Sequence, residues 1–343
     1  MDDLLQTIES GGFRPPDIIQ PSREGWAFVK QGYAAPGWAT GCISGTDACF
    51  LFDMLKATQA RRLVEFGVAS GTSTAFILRV LAALGNGAEL HSFDALDYYY
   101  GDSSIKLGQY VFDVHGPEPA ALHLFPGTGS TEVGKRIAGT DSDPVDFAFI
   151  DANHSHPFPC FDLLALLPVM APGSWVVLHD INLPFIYPDA SFGPHYLFYN
   201  WPGEKRVFPD ARQKANIGAI RLLDAVADNV EAVLRLLEIR WDSAYNVPPL
   251  AAFDTLLARL DPAQRDRLDF LVRQQTELSL GDKDGRLREE VARLESRLEA
   301  EREAANQSRL RLREIEASTS WRATAGLRAA GTALAALGIR RPR

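Results

Sequence analysis

Cysteine is scarce: Cys42, Cys49 and Cys160 are the three in 343 residues, and no two form a C-x-x-C pair. That spacing indicates neither a disulfide framework nor a zinc knuckle, and it suits a reducing compartment. Long apolar runs are missing as well. No stretch approaches the roughly 18–20 residues that span a bilayer as a helix. Positive charge is in deficit, with 35 Lys and Arg against 44 Asp and Glu and a net charge of -9. Nucleic acid is therefore not the expected partner, because phosphate binding needs a basic surface. The opening MDDLLQTIESGG is acidic and lacks a basic segment followed by an apolar block, so no secretory signal is expected and the expected address is cytoplasmic. What is present is a 46% apolar content, enough for a globular core in one large domain with appendages.

The organisation follows from periodicity. Residues 1–45 mix Pro, Gly and aromatics without a sustained period and read as an N-terminal cap. From residue 46 to 225 short apolar strands alternate with helical segments. RRLVEFG is followed by TSTAFILRVLAALG, AELHSFDA stands before ALHLFPG and STEVGKRIAG, VDFAFIDA leads into CFDLLALLPVM, and GSWVVLHDIN comes next, with ANIGAIRLL as a last strand. Such alternation implies right-handed crossovers and a doubly wound, mostly parallel α/β sheet, Rossmann-like, covered on both faces. Residues 226–281 read as a helical extension. Over 282–317 Leu287, Val291, Leu294 and Leu298 keep heptad spacing, with Leu312 and Ile315 in phase, but Glu301, Ala305 and Ser308 interrupt the seam. Homo-oligomerisation through this helix and a solvated single helix both remain open. The tail 318–343 is basic and rich in small apolar residues, which leaves peripheral membrane association open.

Chemistry-bearing residues gather at strand ends. LVEFGVASGTST places Glu65, Gly67, Ser70, Gly71, Thr72 and Ser73 at a strand-to-helix turn, where Gly67 allows the turn and Gly71 lets a ligand approach the backbone. The loop is not G-x-G-x-x-G and has no P-loop lysine, which argues against a nicotinamide-dependent oxidoreductase. SFDAL ends the next strand at Asp94, where a carboxylate can accept from ribose hydroxyls or simply cap a turn. PGTGS (126–130) follows the third strand and FIDANHSHPF the fourth. Four consecutive strand ends thus share the edge where open α/β sheets bind ligands. Asp151 and Asn153 equally suit a turn. His154 suits proton transfer near neutral pH. His91, His115, His123 and His195 carry no motif and read as structural.

With these residues in this order, EFGVASGTST, SFDA and AFIDANHSHPFPCFDLLALLPVMAPGSWVVLHDI make the chain resemble a class I S-adenosylmethionine-dependent methyltransferase over roughly residues 45–225. The branch it resembles contains bacterial sugar O-methyltransferases and metal-dependent macrolide-sugar O-methyltransferases. The resemblance implies that Glu65 to Ser73 cradle the methionine and ribose of the cofactor, that Asp94 holds the ribose hydroxyls, and that Thr128 in the Gly127–Ser130 loop flanks the adenine. It also implies Asp151 and Asp180 as ligands of a divalent ion such as Mg2+, and His154 as the base. One departure stands out: His179-Asp180 replaces the two successive acids of the metal-dependent relatives, so His179 either ligates a metal or orients Asp180.

Beyond the core, Tyr196, Phe198, Tyr199 and Trp201 could stack on sugar rings or anchor a long loop, and Trp26, Tyr33 and Trp38 invite the same two readings. STSWRATAGLRAAG (318–331) resembles a segment at the ends of bacterial glycan-assembly proteins, which implies work on surface polysaccharide near the inner membrane surface. The expected activity is O-methyl transfer to a sugar hydroxyl of a glycan or its precursor. The alternative is a non-catalytic methyltransferase-fold scaffold in a polysaccharide-assembly complex.

Overall fold

The computed structural model describes residues 14–137, 143–187, 190–209, 216–244 and 247–278, with Arg297, Arg311 and Thr324 singly. The chain divides into two units, Met1–Ser279 and Leu280–Arg343, and all the elements named below lie in the first. The heptad segment 282–317 and the tail 318–343 lie outside the described residues, those three positions apart. No helix among the described residues is long and apolar enough to cross a membrane.

Eight strands form one sheet. Strand β1 (Asp17–Ile18) precedes helices α1 (Arg23–Gly32) and α2 (Gly45–Thr58). Then come β2 (Arg62–Phe66), α3 (Thr72–Leu84), β3 (Glu89–Phe93), a separate two-stranded hairpin β4 (Tyr98–Tyr99) and β5 (Asp102–Lys106), and α4 (Gln109–His115). Strand β6 (Leu122–Phe125), α5 (Val133–Ile137), β7 (Val145–Ile150), α6 (Phe158–Leu166) and β8 (Met170–His179) complete the parallel core. After α7 (Leu183–Ile186) and α8 (Gly193–Tyr199), strands β9 (Lys205–Val207) and β10 (Ile217–Arg221) extend the sheet, and α9 (Val226–Leu237) and a helix over 262–278 follow. The spatial order is β1-β9-β10-β8-β7-β2-β3-β6. Pairs β2–β3, β3–β6, β2–β7 and β7–β8 are parallel, while β10 runs antiparallel to both β8 and β9.

The expected doubly wound sheet is therefore present, and alternation along the strands explains why it is covered on both faces. Ala148 and Ile150 of β7, Val176 and Leu178 of β8, and Val64 and Phe66 of β2 enter one core with α6 and α9. Phe147, Phe149, Trp175, Val177 and Leu63 point to the other core, with α2 and α3. Strands buried on both faces carry near-continuous apolar residues for this reason. The chain winds from β2 outward to β6, then returns to β7 on the other side of β2. That reversal opens a crevice at the carboxyl ends of β2 and β7. The hairpin β4–β5, strands β1 and β9 and helix α8 were not legible from periodicity, because each runs for only two to seven residues.

The aromatic loop after β8 resolves into two populations. Phe198 and Trp201 are buried, and the Trp201 indole N–H donates to the Arg221 carbonyl at 2.8 Å. Those two are anchors, not stacking faces. Tyr196 and Tyr199 are half-buried, and Tyr196 stacks on Phe192. Trp38 remains partly exposed beside Tyr99.

Candidate active site

The turn after β2 is held in shape before any ligand enters. Gly67 adopts φ +91°, and a Cβ there would stand 2.0 Å from the Asp151 carbonyl oxygen, so only glycine lets the ends of β2 and β7 approach this closely. The Phe66 carbonyl accepts from the Asp151 N–H at 2.8 Å, and the Gly67 N–H donates to the Phe93 carbonyl at 2.9 Å. Gly71 also needs its positive φ of +87°, but the atoms a Cβ would meet are Val111 and Gly108. Its closeness serves packing of the loop before α4, whereas the sequence suggested approach by a ligand.

Asp94 does what a capping residue does. Its Oδ2 accepts from the Val68 and Ala69 N–H groups at 2.9 and 3.0 Å, and its Oδ1 from the Leu96 N–H at 2.9 Å. The carboxylate thus fixes the glycine turn while it lines the cavity. Glu65 lies behind that turn and is fully buried. It accepts from the hydroxyls of Ser73, Thr74 and Ser92, each at 2.7 Å, and does not line the cavity. Its place is therefore that of a post tying β2, β3 and the first turn of α3 together.

Burial pushes the Glu65 carboxyl up from 4.5 to about 7, against the lowering effect of the three hydroxyls, and the charge of Asp151 adds to the rise. A raised carboxyl pKa contributes stability that is fully present below pH 4.5 and is lost as the pH climbs through about 7. Stability relative to Glu65→Gln is expected to fall by about 3 kcal/mol across that window. Urea melts at closely spaced pH values check this, and two parallel stability curves would refute it.

A cavity of about 670 Å³ occupies the crevice. Its wall includes Ser70, Thr72 and Ser73 from the turn, Asp94, Thr128, Asp151, His154 and Asp180. Thr128 is fixed there by its N–H, which donates to the Asp94 carbonyl at 2.7 Å. The N-terminal cap also contributes to this wall: Thr40, Gly41, Cys42 and Ile43 face the cavity. The Thr40 N–H donates to the Tyr99 hydroxyl at 2.8 Å, and the Tyr100 hydroxyl donates to the Thr40 carbonyl at 3.0 Å. Composition alone had not attached these residues to the site.

Two imidazoles and three carboxylates meet at the ends of β7 and β8. His154 Nε2 stands 3.0 Å from Asp180 Oδ2 and 3.3 Å from Asp151 Oδ1. His179 does not line the cavity. Its Nδ1 is 3.1 Å from Asp151 Oδ1 and 3.5 Å from Asp180 Oδ2, and its Nε2 is 3.4 Å from Asp47 Oδ2. With both ring nitrogens turned to carboxylates, His179 positions its neighbours and is not grouped with the cavity-facing donors. The set of Asp151, His154 and Asp180, whose ligand atoms lie within 4.8 Å of one another, is the one that could hold an ion here.

Burial disfavours the charged forms of Asp47, Asp151, His154 and His179, and the contacts among these side chains outweigh it. His179 is raised well above its ordinary value by Asp151, Asp180 and Asp47, and His154 is raised by Asp151 and Asp180. Asp151 is pulled below the ordinary carboxylate range by His179 and His154, and Asp47 is lowered by His179 and Ser44. Even with both rings protonated, three carboxylates leave one negative charge over. That surplus suits a cation.

Asp47 and Asn216 escaped the sequence reading. Asp47 belongs to a capping box with Ser44 at the start of α2, and its Oδ1 accepts from the Asn216 N–H at 3.1 Å. Asn216 in turn donates its side-chain amide to Asp180 Oδ1 and accepts from the Asn182 N–H at 2.8 Å. Asp180 itself sits at φ +60°, a left-handed conformation for a residue with a Cβ, and these bonds retain it. The S-x-x-D spacing signals a helix start, but nothing local says that this aspartate reaches a residue 169 positions away.

Glu89, His91 and His123 form a second group of potential ligands. The two imidazoles stack with centroids 4.6 Å apart and planes 12° from parallel, so their lone pairs run side by side and do not converge.

Residues 64–181 match a protein family described as a methyltransferase domain. No curated protein matches the chain. Among solved structures, the O-methyltransferase TomG from Streptomyces achromogenes, involved in tomaymycin synthesis and crystallised with S-adenosylmethionine, is 16% identical, with 60% of this chain and 92% of that one covered at a TM-score of 0.40. An O-methyltransferase from Bacillus cereus in complex with S-adenosylhomocysteine is 17% identical, covering 64% and 97% at 0.41. A methyltransferase from Podospora anserina, also bound to S-adenosylhomocysteine, is 13% identical, covering 65% and 97% at 0.39.

Proposed function

We propose that this chain, with a methyltransferase domain over residues 64–181, is an S-adenosylmethionine-dependent O-methyltransferase whose acceptor is a sugar hydroxyl of a glycan or glycan precursor. The observation that carries the reading is the placement of His154 and two carboxylates in one wall of the cavity that the glycine turn opens. A sugar hydroxyl is a poor nucleophile, whereas a sulfonium methyl is already activated. The protein's task is to make the oxygen more anionic and to hold it in line with the S–CH3 bond.

With Nε2–H of His154 donated to Asp180 and Asp151, the ring's other nitrogen, Nδ1, takes the hydroxyl proton, and the O–CH3 bond forms as the S–CH3 bond breaks. Asp151 and Asp180 orient the ring and stabilise it once charged. His179 holds Asp151 from behind, and Asp47 holds His179. Two cavity-facing carboxylates beside an imidazole fit a divalent ion such as Mg2+, which is commonly bound through one or two carboxylates and retained waters. Asp151 and Asp180 would hold it, and when bound it lowers the pKa of the acceptor hydroxyl as a Lewis acid. For the acceptor class, support comes from the resemblance to sugar O-methyltransferases and from Phe185 and Tyr187, exposed in and beside the short helix after β8, where apolar sugar faces could rest.

Calorimetric titration with S-adenosylmethionine tests the enzyme against the scaffold, which need not bind it. Binding is expected, and a flat titration would exclude the enzyme. Activity is expected to fall at least about 10-fold in EDTA and to return with Mg2+, given the several kcal/mol a Lewis acid supplies. Full turnover in EDTA would remove the metal from the scheme. Mass spectrometry of surface glycan from a deletion strain is expected to show one methyl group missing.

A further inference from the structure

The antiparallel strand β10 brings its first residue to the end of β8, with Ile217 opposite His179. Asn216, just before it, is buried and uses every polar group it has. Its side-chain N–H donates to Asp180 Oδ1, its Oδ1 accepts from the Asn182 N–H at 2.8 Å, and its carbonyl accepts from the Ile181 N–H at 3.3 Å. Its own N–H donates to Asp47 Oδ1 at 3.1 Å. One residue thus grips three consecutive positions, 180–182, and is itself held by α2. The grip has a direction. Because Oδ1 takes the Asn182 N–H, the amide nitrogen must be the end that meets Asp180. His195 Nδ1 and the Tyr199 hydroxyl complete the hold, donating to the Ile181 carbonyl and to Asn182 Oδ1, each at 2.9 Å. Asp180 needs such holding, since its φ of +60° is a left-handed conformation that few residues with a Cβ adopt.

The consequence lies in how the two oxygens of Asp180 are shared. Asn216 occupies Oδ1, and Oδ2 is left 3.0 Å from His154 Nε2. We propose that Asn216 is a positioning residue for the methyl transfer: by pinning Asp180 Oδ1 it aims Oδ2 at His154 and keeps the ring's Nδ1 turned to the acceptor, a role that rests on the reading of His154 as the base. A neutral imidazole offers one nitrogen as a base only while its proton sits on the other, and the partner of that other nitrogen decides which it is. Asp151 lies further from Nε2, at 3.3 Å, and also faces His179 Nδ1 at 3.1 Å, so it fixes the His154 proton less firmly than Asp180 does. Asn216 does not line the cavity. It acts on the reaction through Asp180.

Asn216→Asp keeps the shape of the side chain and its acceptor for the Asn182 N–H, but sets an oxygen against Asp180 Oδ1. The first readout is the nitrogen NMR spectrum of the imidazoles in the full-length protein at pH 9, with His154 identified by comparison with His154→Ala. The wild type is expected to carry the His154 proton on Nε2, and the variant to show a mixture of the two neutral forms. The second readout sets turnover against affinity. With glycan from a deletion strain as acceptor, kcat is expected to fall by about 10–100-fold, the worth of one hydrogen bond to a charged group, while the dissociation constant for S-adenosylmethionine stays within about twofold. Asn216→Ala removes the amide without adding a charge, is expected to show the same mixture, and serves should the aspartate variant fail to fold. A proton kept on Nε2 alone in these variants overturns the proposal, as does unchanged turnover, or a loss of cofactor affinity that parallels the loss of turnover. A wild type that binds no S-adenosylmethionine overturns the enzyme reading, and one that binds it but methylates no such glycan overturns the acceptor reading. In either case the imidazole spectrum still decides whether Asn216 holds Asp180 to His154.

Discussion

His154→Ala lowers kcat by about 10²–10⁴-fold, the usual worth of a positioned general base, while the dissociation constant for S-adenosylmethionine stays within about twofold. The expectation of a pure turnover effect comes from where the ring lies. His154 is held by Asp180 at 3.0 Å and Asp151 at 3.3 Å, whereas the turn residues Ser70, Thr72 and Ser73 reach the cavity from β2 and α3. Nothing in the turn depends on the imidazole: the Val68 and Ala69 N–H groups donate to the Asp94 carboxylate, the Gly67 N–H to the Phe93 carbonyl, and the Asp151 N–H to the Phe66 carbonyl. The side chain is about one-third exposed, so its removal leaves no sealed void. Transfer of a labelled methyl group, measured beside calorimetric binding of the cofactor, separates the two effects. Unchanged turnover would remove His154 as the base, and a parallel loss of affinity would recast it as part of the cofactor's pocket.

Asp151→Asn is expected to cost about 10²–10³-fold in kcat with the fold retained, an effect of the size seen when one pre-placed charge is lost from an active site. The substitution keeps the shape of the side chain and the backbone bond from Asp151 N–H to the Phe66 carbonyl. What it removes is the charge shared by two rings, since Asp151 Oδ1 faces both His154 Nε2 and His179 Nδ1. His179 then retains Asp47 and Asp180, while His154 keeps Asp180 alone. The residual activity should also lose its response to EDTA, because one of the two hard ligands for an ion is gone. A variant that keeps wild-type turnover would show that Asp151 only ends a strand. One whose residual activity still collapses in EDTA and returns with Mg2+ would place the ion elsewhere.

Much of this arrangement is legible along the chain. Apolar runs identified β2, β3, β6, β7 and β8 with α3, α5 and α6 but not α4, because a strand buried on both faces must carry core residues at nearly every position. Polar and glycine residues at four successive strand ends marked the edge that lines the cavity, since parallel strands bring their carboxyl ends to one side. Asp151 and His154 stood out after the fourth strand and Asp180 through the family resemblance, and the parallel pairing of β7 with β8 is what sets the ends of those strands side by side.

Contacts between segments far apart in the chain were decided only by the folded protein. Glu65 stands beside the glycine turn in sequence, yet its carboxylate points behind it to Ser92 on the neighbouring strand. Gly71 was a ligand contact by spacing and is a packing contact by position. His179 gains its carboxylates from α2, β7 and its own neighbour Asp180, and Asp47 and Asn216 enter the site from opposite ends of the domain. Local pattern encodes which face a residue takes within its own element, because that depends on the 2.0- or 3.6-residue period alone. Which side chain it then meets depends on the strand order and on the height at which each crossover returns, and no single segment carries that information.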